Sequence, residues 1–269
     1  MARQATTLSA YSPGMHTREP TIIAMGGGGF MMEPENPLLD AYVLEATGVE
    51  HPRICFLGTA CADRATTVEA FHTTFDRLGA RATHLALPWA ADPEGPPELG
   101  QPTGEPNVPD LRAHLQAQDA IYVGGGNTRR MLAVWRHYGV DEVLHDLWAS
   151  SAAILAGVSA GALCWFEAGV TDSIPGSLTP MQALGWVAGS FCPHYDGEPG
   201  RRPTYERLVL STELAPGWAA DDGCALHYRG DGLHRIVSSR PEAAAWRVEP
   251  DGSGGASQRH APVYLGAPS

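Results

Sequence analysis

The chain has 269 residues, with 30 Asp and Glu against 18 basic residues, and a formal net charge of −12. Every basic residue is an arginine and no lysine is present. This excludes Schiff-base chemistry on lysine, a P-loop with its phosphate-reaching Lys and Ser–Lys dyads, and the acidic balance argues against a nucleic-acid partner, which needs an electropositive surface.

Hydrophobic residues make up 43% and charged residues 18%, the latter below the roughly 25% of an ordinary domain. The 31 Gly and 22 Pro imply many shaped loops, and loops are where sites tend to sit. Cys55, Cys61, Cys164, Cys192 and Cys224 are odd in number and scattered, with no CxxC; this fits reduced thiols rather than a disulfide framework or zinc ribbon. No apolar run approaches the ~18–20 residues of a membrane span. Residues 1–20 lack the apolar stretch of a signal peptide. The expectation is a cytoplasmic protein with a disordered leader over 1–20 and one domain over 21–269.

From Thr21 onward short apolar runs alternate with helical patterns, which predicts an α/β fold: a mostly parallel sheet with helices on both faces. Thr21–Met25 is the first strand and runs into Gly26–Gly29. Asn36-Pro37 starts a helix that Gly48 stops, with Leu38, Leu39, Tyr42, Val43 and Ala46 on its apolar face. Arg53–Leu57 is the second strand, Asp63 the expected cap of a helix to about Leu78, and Ala82–Leu87 the third strand. The Pro- and Gly-rich stretch Pro88–Pro109 is read either as a lid or as an insertion without a fixed role. Asp110–Ala117 is a short helix. Ala120–Val123 is a strand entering Gly124-Gly125-Gly126-Asn127-Thr128, and helices follow at Thr128–His137 and Val140–Ser150. Ala153–Gly157 is a strand and Ala160–Phe166 a helix. Beyond Gly169, short strands are expected at Gly189–Cys192, Cys224–Tyr228, His234–Val237 and Ala244–Val248, with a helix near Pro203–Leu210.

Two loops concentrate the chemistry. Gly157-Val158-Ser159-Ala160-Gly161-Ala162 follows an apolar strand and precedes a helix, the setting of a G-x-S-x-G nucleophile elbow. A serine there is strained, with its hydroxyl exposed, and the Ala160 amide points to where an oxyanion would form. The triple glycine of Gly124–Thr128 lets a ligand approach the backbone. Loops at the carboxyl ends of neighbouring parallel strands converge on one crevice, so this loop is a candidate second oxyanion donor. Ser159 needs a base. Of 11 histidines, His194 in Phe191-Cys192-Pro193-His194-Tyr195-Asp196 is the best placed, while His16 and His260 fall in expected tails. A carboxylate must then orient the base, and Asp172, Asp196, Asp221 and Asp222 are the candidates that spacing leaves open.

The ordered set YVGGGNT, GVSAGA, VTDS and CPHYD resembles peptidase E and its cyanophycinase relatives over roughly Thr21 to Val248. The resemblance implies serine peptidases on a three-layer α/β fold like the class I glutamine amidotransferase domain, here with extra C-terminal strands. It implies Ser159 as nucleophile, His194 as general base, and Asp172 or Asp222 as the third member, Asp222 standing where peptidase E has a Glu before Gly. It places the oxyanion amides at Gly125, Gly126 and Ala160 and requires no metal or cofactor. The implied substrate is a small acidic peptide, either a dipeptide with an N-terminal Asp or, as in cyanophycinase, an Asp–Arg polymer. Asn127, Arg201 and Arg202 are the candidate substrate contacts, because an Arg fork binds carboxylates bidentately and Arg207 lies on the next helix. A homodimer is compatible with the sequence. Against an α/β-hydrolase esterase stands the early position of His194, and against an amidotransferase the Ser at the elbow. A catalytically silent ligand-binding module remains the alternative of a different class.

Overall fold

The computed structural model describes residues 19–91, 100–251 and 257–266. The expected leader lies almost wholly outside the described residues, as does the middle of the Pro88–Pro109 stretch. Among the described residues no helix is long and apolar enough to cross a membrane.

The strands are β1 (Thr21–Met25), β2 (Arg53–Leu57), β3 (Arg81–Leu85), β4 (Trp89–Ala91), β5 (Gly100–Pro102), β6 (Ala120–Val123), β7 (Ile154–Val158) and β8 (Phe166–Thr171). They continue with β9 (Thr179–Gln182), β10 (Val187–Cys192), β11 (Gly217–Ala220), β12 (Cys224–Arg229), β13 (Gly232–Ser238), β14 (Ala245–Val248), β15 (Ser257–His260) and β16 (Val263–Tyr264). The helices are α1 (Leu38–Thr47), α2 (Ala65–Arg77), α3 (Leu111–Gln116), α4 (Thr128–Tyr138), α5 (Val140–Ala149), α6 (Ala160–Leu163) and α7 (Arg201–Leu210).

The expected mixed α/β architecture is present. One sheet runs β16-β13-β12-β1-β7-β6-β2-β3, and its five strands from β1 to β3 are mutually parallel. The central strands β1, β6 and β7 are continuous apolar runs and fully buried, as a sheet covered on both faces demands, while β3 at the edge is more polar and mostly half-buried. On one face α1 and α2 pack Leu39, Tyr42, Phe71 and Phe75 against the sheet. Phe30 meets Phe56, Phe71 and Tyr122 edge-on there, and each such buried side chain contributes about 1.5–3 kcal/mol. The other face carries α4 and α5 through Met131, Trp135, Val143 and Leu144.

The extra strands are not simply C-terminal. A second sheet, β15-β14-β11-β10-β8-β9, begins at Phe166, where the sequence pattern suggests a helix. The helix stops after one turn because Leu163 is followed by Cys164-Trp165-Phe166, whose bulky side chains are buried in the core shared by the two sheets. Phe166 stacks on Phe191 and meets Tyr228 of the first sheet edge-on. The outer face of the second sheet packs on α7 through Tyr205, Leu208 and Val209.

Two local expectations are corrected. Asp63 does not cap α2; it adopts φ 48°, and its carboxylate accepts from the Leu87 amide at 3.2 Å. Burial pushes the Asp63 carboxyl up to about 6. His260 belongs to β15, paired with Ala245, rather than to a tail. Within Pro88–Pro109, β4 and β5 form an antiparallel pair, and the Tyr138 hydroxyl lies 2.8 Å from the Pro88 carbonyl. The five cysteines are free.

Candidate active site

Ser159 sits between β7 and α6 with φ 56° and ψ −113°, a conformation that a side chain other than glycine adopts only under constraint. The constraint comes from both sides of the turn. The Ser159 amide donates to the Met25 carbonyl at 3.0 Å, and the Ser159 carbonyl accepts from Ala162 and Leu163. A Cβ at Gly157 would collide with the Gly161 carbonyl, and one at Gly161 with the Val123 carbonyl, so the motif's two glycines allow the sharp turn.

His194 follows β10, also at positive φ, 53°. Its amide donates to the Gly26 carbonyl at 3.2 Å, and the next amide, of Tyr195, donates to the Ala220 carbonyl at 3.1 Å. The backbone is therefore pinned to both sheets. His194 Nε2 lies 2.8 Å from Ser159 Oγ, and Nδ1 lies 2.6 Å from Asp222 Oδ1. An ionised carboxylate can only accept, so Nδ1 carries the proton and Nε2 is left to accept from the serine hydroxyl.

Asp222 lies between β11 and β12, its amide held by Asp196 Oδ1 at 2.7 Å. Burial alone would raise its carboxyl. The hydrogen bond and charge of His194, with Arg240 and Arg201, outweigh burial and hold it below the ordinary carboxylate value. Its neighbour Asp221 goes the other way. Burial, then the charge of Asp196, push it up to about 6, while it accepts from the Ala244 amide and the Trp246 indole.

The two nitrogens of the imidazole are in contact with Ser159 and Asp222, and Asp172 is not among its partners. Asp172 is mostly exposed and pairs with Arg201 Nη2 at 3.3 Å. The VTDS segment has another place in the fold. Ser173 Oγ accepts from the Thr128 amide at 3.0 Å, and the Asn127 side-chain amide donates to the Ser173 carbonyl at 3.0 Å. Asn127 Oδ1 also accepts from the Arg130 amide, capping α4. Asn127 thus ties the VTDS segment to the start of α4 with one donor and one acceptor of its amide.

Of the three expected oxyanion amides, Ala160 and Gly126 have no acceptor among the described residues. The Gly125 amide instead donates to Met31 Sδ at 3.3 Å. Gly126, at φ 136°, must be glycine because a Cβ would strike the Ala60 carbonyl. A Cβ at Gly125 would lie 3.2 Å from Ser159 Cβ, so the triple-glycine loop does border the serine.

The arginines expected to read a substrate carboxylate are occupied. Arg201 is 2% exposed and is bound to Glu198 at 2.6 Å, the Val170 carbonyl at 2.9 Å and Asp172. Arg202 lies over the Trp246 ring at 4.3 Å and bonds Glu206 and Ser257. Arg207 pairs with Glu213. Arg201, buried with all three guanidinium nitrogens engaged, has no free fork to offer, whereas the side chains of Arg202 and Arg207 stay 46% and 59% exposed.

Gly27, Glu33 and Arg240 belong to the surroundings of Asp222 without any motif of their own. A Cβ at Gly27 would collide with Asp222 Oδ1 and lie 2.9 Å from His194 Nδ1. The readable signal is the run of four glycines at the carboxyl end of the first strand, where crevices form in open α/β sheets.

With this geometry in place, comparison with known proteins is decisive for kinship. The family model for Peptidase family S51 matches residues 22–236. This chain belongs to peptidase family S51. The S51 chain is 47% identical over 227 residues to the "Uncharacterized peptidase YgaJ" of Bacillus subtilis (strain 168), spanning 84% of this chain and 91% of the relative. Among solved structures, a peptidase from an acI-B1 Actinobacterium superposes with a TM-score of 0.60 at 16% identity, over 91% of this chain and 96% of that one. A protein assigned as peptidase E from Listeria monocytogenes EGD-e superposes with a TM-score of 0.54 at 18% identity, over 86% of this chain and all of that one. These two likenesses show the shared fold. The S51 family membership makes the protein a peptidase.

Proposed function

We propose that this S51 peptidase is a serine-type enzyme that cleaves small peptides through an acyl-enzyme, with dipeptides bearing an N-terminal Asp as the expected substrates. The observation that carries the serine mechanism is the unbroken relay from Ser159 Oγ through His194 to Asp222, at 2.8 and 2.6 Å. His194 Nε2 takes the Ser159 proton as Oγ attacks the peptide carbonyl. The Ala160 and Gly126 amides receive the oxyanion, and Asp222 stabilises the imidazolium that forms. His194 then protonates the leaving amine. Water, activated by the same imidazole, hydrolyses the ester.

The preference for Asp rests on the resemblance to peptidase E, and neither Arg201 nor Arg202 supports it. The test is hydrolysis of a panel of Asp-X, X-Asp and β-Asp-Arg peptides. Release of free Asp from Asp-X alone supports the proposal. Cleavage of β-Asp-Arg alone makes the enzyme cyanophycinase-like, and no cleavage of any member, with Ser159 unlabelled by a serine-directed phosphonate, makes the chain a silent binding module.

Gly27→Ala is expected to lower kcat on the order of 100-fold, the scale set by displacing a catalytic group by about 1 Å. The new methyl has to push Asp222 away from His194. Steady-state kinetics, beside a circular dichroism spectrum showing a folded chain, checks it.

A further inference from the structure

Asp222 is the one relay member held by a loop that crosses from the second sheet to the first, and that loop is tied down on its far side. The Gly223 amide donates to the Gly27 carbonyl at 3.0 Å, and the Gly223 carbonyl accepts from the Ser239 amide at 2.8 Å. Ser239 is gripped in turn by residues that follow β1. Its hydroxyl donates to Glu33 Oε2 at 2.8 Å, and its carbonyl accepts from Asn36 Nδ2 at 3.0 Å. The other Glu33 oxygen accepts from Arg240 Nε.

Two glycines let this assembly close. A Cβ at Gly28 would lie 2.9 Å from Glu33 Oε2, and one at Gly223 would lie 2.8 Å from Arg240 Cγ. Gly28 and Gly223 have φ of 98° and 80°, which suits glycine on backbone grounds as well. The Glu33 side chain is 10% exposed and that of Arg240 41%. A surface ion pair contributes little, but a carboxylate this far from water requires its cation.

Resting on the reading of Ser159, His194 and Asp222 as the relay, we propose that Arg240 and Glu33 are positioning residues for Asp222. Their ion pair braces the Asp222–Gly223 turn against the glycine loop after β1 and sets a positive charge behind the carboxylate. Arg240 and the buried Arg201 both favour the ionised form of Asp222. Arginine suits the task because its Nε can be committed to Glu33 while the delocalised charge remains on the rest of the guanidinium.

The experiment compares Arg240→Gln, Arg240→Lys and Glu33→Gln with the parent on whichever peptide the parent cleaves. Arg240→Gln is expected to lose about tenfold in kcat with KM unchanged, the rate equivalent of about 1.4 kcal/mol. Arg240→Lys, which keeps the charge, should recover most of that loss. Glu33→Gln keeps an acceptor for Ser239 but removes the ion pair, and should behave like Arg240→Gln, which covers the case in which that variant does not fold. A parental kcat in both neutral variants overturns the proposal. So does a raised KM at unchanged kcat, which would make Arg240 a substrate contact, and so does an Arg240→Lys variant as impaired as Arg240→Gln, which would make the charge irrelevant. Failure of the relay reading is separable, because it appears as Ser159→Ala retaining the parental rate before any of these variants is compared.

Discussion

Ser159→Ala is expected to lower kcat for peptide hydrolysis by on the order of a million-fold, the scale of removing the nucleophile from a serine relay, while the melting temperature stays at the parental value. The hydroxyl is the only group the variant removes, and its 2.8 Å contact is with His194, a partner that faces the site. The backbone that holds the elbow, from the Met25 carbonyl to the Leu163 amide, is untouched. Kinetics with a calorimetric scan checks both halves, and a Ser159→Ala protein that keeps its rate would overturn the serine mechanism. Ser159→Gly sharpens the structural half. At φ 56° glycine removes a strain of about 1 kcal/mol, so Ser159→Gly should melt about 2–4 °C higher than the parent while being just as inactive. Higher stability with lost activity is what strain stored at a functional turn predicts.

The second large effect separates the two aspartates. Asp222→Asn should cost on the order of 10⁴ in kcat, whereas Asp172→Asn should stay within a few-fold of the parent. An Asn at 222 can turn its NH₂ toward His194 Nδ1. The ring proton then moves to Nε2, which can no longer accept from Ser159. Asp172 touches Arg201, and its loss leaves the imidazole undisturbed. Equal losses in the two variants would return Asp172 to the relay. The pH dependence follows from the same contact. The folded-state carboxyl of Asp222 lies below its ordinary value, with His194 the principal stabiliser. Its contribution to stability is therefore complete above the unfolded value of about 3.9 and disappears as pH falls through the lower folded one. Urea midpoints measured below and above about pH 4 should converge for the parent and Asp222→Asn on the acidic side.

Ser159 and His194 were legible because the chemistry is written in consecutive residues. Gly157 and Gly161 announce a turn that tolerates no Cβ, and Pro193 stiffens the approach to His194. The central parallel strands β1, β6 and β7 are legible for a similar reason, as apolar runs that lead into glycine-containing turns. The choice between Asp172 and Asp222 was not, since it depends on which loop reaches Nδ1 across two sheets, and chain spacing carries no such distance. The partners of Arg201 and Arg202 are not legible either, because composition reports a charge but not what it pairs with. Both lie on a helix beside acids, Glu198, Glu206 and Asp172, that take up their donors. Phe166 reads in the sequence as the end of a helix because a short apolar run fits either period, and its stacking on Phe191 is a long-range contact.

The seam between the two sheets has a consequence for how the enzyme comes to life. Ser159 stands where the chain leaves the first sheet for the second, His194 ends a strand of the second, and Asp222 sits where the chain returns. Neither half of the molecule owns a working serine. In the proposed relay the hydroxyl has its base beside it only where the two sheets meet, a seam that Phe166 and Phe191 close against Tyr228. On the proposed mechanism reactivity is thus a product of closure, because a chain with only one sheet formed lacks the assembled relay.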